Sequence, residues 1–161
     1  LQQFRPGRDL AWGLALAAGI GLPGLALYVG GVWAGLTVRI VPTGLESYWW
    51  TIPVLALAAL TAGIVEETIT VGYLTNRLEL LGWAAWGIIS AQAILRGFYH
   101  LYQGVGPFFG NIVMGLVFGW FFLKTRRLAP LIIAHSAIDA VAFIGYPLLA
   151  ENVPEILGFA L

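Results

Sequence analysis

The sequence predicts an all-α fold, a polytopic transmembrane helix bundle of about five spans with its N-terminus cytoplasmic. Three observations carry that prediction. Of 161 residues, 60% are hydrophobic and 10% charged, far from the balance of a soluble domain. The apolar residues fall in runs of about 20, the length that crosses a bilayer core. The basic residues are spread unevenly about those runs, which sets an orientation. A formal net charge of zero leaves no electrostatic footprint for a nucleic-acid partner. Cysteine is absent, which excludes disulfides, thiolate metal sites and cysteine nucleophiles. With no repeat or linker-like stretch, one transmembrane domain over residues 1–161 is expected.

The first span runs from about Leu10 to Leu36, with a bend expected where Gly21, Pro23 and Gly24 cluster. The apolar run after Arg5 and Arg8 is too long for a signal-peptide core and reads as a retained span. Arg39, Pro42, Gly44 and Glu46 form a polar turn region leading to Tyr48, Trp49 and Trp50, aromatics suited to a water–lipid interface. Pro53 fits the first turn of a second helix that continues to about Leu81 and stops at Gly82. A third span starts near Trp83 or Trp86 and reaches Tyr102, and residues 104–110, with Pro107, read as a loop. The fourth covers about Phe108 to Leu123. The fifth starts near Leu128, has Pro130 in its first turn, and ends near Leu149. A short tail with Glu151, Pro154 and Glu155 follows. With the N-terminus inside, Arg5, Arg8, Arg77, Lys124, Arg126 and Arg127 lie on the cytoplasmic side and only Arg39 lies opposite.

Six ionisable side chains fall inside these apolar spans: Glu66, Glu67, Arg96, His100, His135 and Asp139. A charge in hydrocarbon costs roughly 2.5–3.5 kcal/mol on insertion scales, so such residues mark function. Glu66 and Glu67 are neighbours on one helix and point about 100° apart; Thr70 lies beneath both. Structural acids paired with Arg96 are the plainer reading; an acid–base pair is the chemical one. Gln92, Arg96 and His100 recur every four residues as one polar stripe, and Arg96 needs a carboxylate, with Glu66 or Glu67 the nearest candidates. His135 and Asp139 are also four apart, so the carboxylate is expected to accept from the imidazole N–H. A simple buried His–Asp pair explains those two equally well. Asn111, Gly115 and Gly119 share a face of the fourth span, a packing surface for close helix approach.

Several intramembrane protease designs are excluded by residue type. There is no HExxH pair for a zinc protease of that kind. The serines, Ser47, Ser90 and Ser136, are not in a GxSG context, and Asp139 alone is too little for an aspartyl dyad.

What remains is Glu66-Glu67 followed by Gly72-Tyr73-Leu74, then Arg96-Gly97-Phe98-Tyr99-His100, then His135-Ser136-Ala137-Ile138-Asp139. This order resembles the CPBP family (CAAX proteases and bacteriocin-processing or immunity proteins, also called Abi). Its pattern is EExxxR, FxxxH and HxxxN or HxxxD on separate transmembrane helices. The resemblance spans about residues 65–149, with a protease-like core of about 53–149. Two positions depart from the pattern: Val71 stands at the usual Arg, and Arg96 at the usual Phe. One loss and one gain of the same side chain suggest relocation.

The resemblance implies an intramembrane endopeptidase that hydrolyses a peptide bond with a glutamate-activated water. Glu66 would activate the water and Glu67 would tune it. His100 would share the proton or position the water, and His135 and Asp139 would stabilise the oxyanion or orient the substrate. Arg96 has a supporting place. The family is described both as zinc-dependent and as metal-free. A metal-free site is favoured, because Arg96 opposes a divalent cation; the zinc alternative would use Glu66, His100 and His135. The implied partners are the lipid bilayer and a peptide or protein substrate, including a lipidated one, in a bacterial plasma membrane. A non-catalytic immunity or partner-binding relative and a proton-coupled transporter are the competing readings. Depth raises a difficulty: at about 1.5 Å per residue, His100 and His135 are set at different levels unless the third span tilts or residues 83–90 lie along the interface.

Overall fold

The computed structural model describes residues 3–35 and 48–145, and every regular element in them is helical. Five helices follow one another: α1 (Pro6–Trp33), α2 (Thr51–Leu80), α3 (Ala85–His100), α4 (Val105–Thr125) and α5 (Ala129–Gly145). The all-α bundle expected from the apolar runs is therefore present. By length and composition, α1, α2 and α4 can each cross a membrane, while α5 is a shorter apolar helix. At 16 residues, α3 is about 24 Å long, less than the roughly 30 Å hydrocarbon thickness. Large apolar side chains such as Trp33, Leu57 and Phe98 are at least 60% exposed, as a lipid-facing surface requires. The polar turn region from Arg39 to Glu46 and the tail with Glu151, Pro154 and Glu155 lie outside the described residues.

Local chemistry explains the boundaries. Helix α2 begins at Thr51, so Pro53 falls in its first turn. It ends where Gly82 adopts φ +78°; the Trp83 N–H then reaches the Leu78 carbonyl and the Gly82 N–H that of Glu79, a Schellman ending. Pro23 lies within a continuous α1. The loop expected over residues 104–110 is corrected: α4 already starts at Val105. A 3-10 turn over Leu101–Gln103 and Gly104, at φ +110°, make the reversal, and Pro107 is tolerated in the first turn because that N–H has no helical acceptor. Helix α3 itself is regular from Ala85 to His100.

Helices α3 and α4 form a tight hairpin, while α5 packs between α1 and α2. Small residues set both approaches. A Cβ on Gly115 would sit 2.7 Å from the Ala93 Cα, so the face expected from Asn111, Gly115 and Gly119 is a true contact surface. Gly63 is pressed in the same way against Ser136 of α5. Val71, Met114, Phe118, Phe121, Phe122, Leu131 and Ala134 form the apolar core, with Leu16, Ala17 and Ile20 of α1 packed against it.

Two ion pairs gather helix ends at one side of the bundle. Arg127, just before α5, donates to both carboxylate oxygens of Asp9 in α1 at 2.7 Å, and this pair is buried. Arg126, the left-handed residue that closes α4 at φ 55°, forms a two-pronged, partly exposed pair with Glu79 of α2.

Candidate active site

A π-helical segment, Glu67–Tyr73, interrupts α2 directly after Glu66. Widening the helix there changes where successive side chains point, and such segments recur at functional sites. A second π segment, Val141–Gly145, follows Asp139 in α5. Across the first of them the two acids part. Glu67 is fully buried, whereas Glu66 is only partly covered.

Glu67 is the meeting point of three helices. Its Oε1 accepts from Nη2 of Arg96 on α3 and, at 2.6 Å, from Nδ1 of His135 on α5. The Arg96 guanidinium also lies over the Phe118 ring of α4, 5.5 Å from its centroid. Glu67 Oε2 and Arg96 Nε and Nη1 are buried with no hydrogen-bond partner. The hub is thus enclosed but not saturated.

Glu66 faces differently. Its Oε2 accepts from the Tyr99 hydroxyl at 2.7 Å. It also ends a shallow, open apolar groove on the exposed surface of α2 itself, formed by Val54, Leu57, Thr61 and Val65. His100, one turn beyond Arg96, donates from Nδ1 to the Arg96 carbonyl at 3.0 Å, which leaves Nε2 as its acceptor nitrogen. Its ring lies against that of Tyr99, 4.6 Å between centroids, and within electrostatic reach of Glu66 and His135.

The structure therefore joins Glu67, Arg96 and His135 by direct contact, places Glu66 beside them through Tyr99, and leaves His100 at the margin. One expectation is corrected. The close partner of His135 is Glu67, not Asp139, whose Oδ2 is 3.5 Å from Nε2, too far for a good hydrogen bond. The two carboxylates face different ring nitrogens, Glu67 at Nδ1 and Asp139 at Nε2. Arg96 takes Glu67 of its two candidate acids. Val71 is buried in the apolar core cluster that also holds Phe118. Tyr99 and the groove were missed. A tyrosine in an apolar span reads as packing, although its place three residues after Arg96 puts it on the polar side of α3.

Among the described residues, no three His, Asp or Glu side chains converge to hold a metal ion. Glu66, His100 and His135 are directed to Tyr99, to a backbone carbonyl and to Glu67.

Comparison with known protein families gives a match. The model for type II CAAX prenyl endopeptidases of the Rce1-like kind matches residues 48–141, more than half of the chain. The chain belongs to this Rce1-like family. Its apolar helices and its family together make it an integral membrane protein with a protease-type domain. Neither the curated proteins nor the solved structures gave a match. The matched region holds Glu66, Glu67, Arg96, His100, His135 and Asp139, and ends at Val141, where the second π segment begins.

Proposed function

We propose that this Rce1-like protein is an intramembrane endopeptidase that hydrolyses a peptide bond with a water activated by Glu66. The observation that carries the reading is the division of labour between the adjacent acids. Glu67 is held by Arg96 and His135, while Glu66 keeps one carboxylate oxygen outside its hydrogen bond to Tyr99 and borders an apolar groove. Glu66 takes a proton from water, and the oxygen attacks the substrate carbonyl as its π bond opens to an oxyanion. His135, steadied by Glu67 and flanked by Asp139, donates to that oxyanion. The C–N bond then breaks as the proton passes from Glu66 to the departing amine. His100, with Nε2 as its acceptor, positions the water.

Both imidazoles bond through Nδ1, and the ground against a divalent cation is the Arg96 guanidinium that stands beside Glu67. We therefore assign a metal-free reaction. The groove favours a substrate with an apolar segment beside the scissile bond, either a lipidated C-terminus or a hydrophobic peptide stretch. A bacterial plasma membrane with the N-terminus inside is the assigned location.

Purified protein in detergent, given a fluorogenic peptide with an apolar flank, tests the reading. Glu66→Gln is expected to lower kcat by roughly 10²–10⁴-fold, and chelators are expected to leave the rate unchanged. Equal cleavage by parent and Glu66→Gln would overturn the assignment.

A further inference from the structure

Tyr99 stands at an unspecified position of the second sequence motif, between Arg96 and His100, yet it makes the closest polar contact that Glu66 has. Its hydroxyl donates to Glu66 Oε2 at 2.7 Å across the α2–α3 interface. Thr70, one turn along from Glu66, is close to the same hydroxyl, and the His100 ring packs against the phenol. The phenol is thus held by one helix and supported by two neighbours. A tyrosine hydroxyl has a single proton to give, so it can orient one carboxylate oxygen and leave the other.

We propose that Tyr99 is a positioning residue that fixes the Glu66 carboxylate, reserving Oε2 for itself and Oε1 for the attacking water. This rests on Glu66 being the general base. Without the phenol, Glu66 would turn among its rotamers at the mouth of the groove, and the water would lose its fixed acceptor. The same contact couples base and imidazole: Tyr99 touches Glu66 with its hydroxyl and His100 with its ring, so both groups assigned to the water are set by one side chain. A packing role alone would require only the ring.

Tyr99→Phe keeps the ring and removes the single oxygen. We expect kcat to fall by about tenfold, the worth of one hydrogen bond to a charged group, with KM within twofold of the parent. Insertion of fluorinated tyrosines at position 99, which keep the shape and strengthen the donor, should restore kcat. A second readout needs no substrate. The chain has only eight Asp and Glu residues, so the Glu66 antisymmetric carboxylate band can be assigned by infrared difference against Glu66→Gln. Tyr99→Phe is expected to shift that band, and the fluorotyrosines to shift it in graded steps. An unshifted band, or a Tyr99→Phe enzyme with parental kcat, would overturn the proposal while leaving Glu66 as base. Full cleavage by Glu66→Gln would instead remove the hydrolase reading, and the infrared band would still decide whether Tyr99 holds the carboxylate.

Discussion

Asp9–Arg127 and Glu67–Arg96 are both carboxylate–guanidinium pairs taken out of solvent, yet they are finished differently. Arg127 grips both oxygens of Asp9 and also donates to the Gln3 carbonyl. Arg96 meets one oxygen of Glu67, and three polar atoms of that pair are left without partners. Each unmade buried bond costs about 1–3 kcal/mol, so the Arg96 pair is held below its full bonding capacity. The completed pair staples helix ends together. The incomplete one is shared with His135 and ties α2, α3 and α5 at a single carboxylate.

Removing one partner from either pair leaves a stranded buried charge, but the consequences should diverge. The largest effect is expected from Arg96→Leu, which strands Glu67 between α3 and α5: a loss of about 3–5 kcal/mol of unfolding free energy, with cleavage abolished. Adding Val71→Arg to Arg96→Phe should return part of both. No return would show that the guanidinium has not been relocated between helices.

Arg127→Met should cost a little less, because α1 can fray at its first turn. Replacing both partners, Asp9→Leu with Arg127→Met, should recover most of the stability and keep kcat within about twofold of the parent. If that double variant loses cleavage while folded, the end staple belongs to the site and the contrast drawn above fails.

A smaller loss is expected from Gly115→Ala, whose new methyl meets the Ala93 backbone. Overpacking of this kind costs about 1–3 kcal/mol and should loosen the α3–α4 hairpin that carries Arg96. Smallest of all is Glu79→Gln, at most about 1 kcal/mol, since its pair with Arg126 is partly exposed and screened. Chemical unfolding in micelles measures all four.

The sequence made the costly side chains visible because lipid tolerates few of them: Glu66, Glu67, Arg96, His100, His135 and Asp139 stand out against apolar neighbours. The close α3–α4 approach was legible from Gly115 and Gly119, and the end of α2 from Gly82. Pairing was not legible where it crosses distance. Local spacing matches His135 with Asp139, while the fold gives it Glu67, 68 residues away. Asp9 reads as an ordinary first-turn acid, and nothing nearby announces Arg127. The π segments have no compositional signature, and which of the two diverging acids turns inward emerged only from the structure. Tyr99 was hidden because a phenol suits both lipid and a carboxylate.

The most direct test of three helices meeting on one buried carboxylate is a double-mutant cycle on unfolding free energy. It compares the parent, Glu67→Gln, Arg96→Met and the two together. Contact between the side chains predicts a double loss smaller than the sum of the single losses, by about 2 kcal/mol. Losses that simply add, to within about 0.5 kcal/mol, would contradict it.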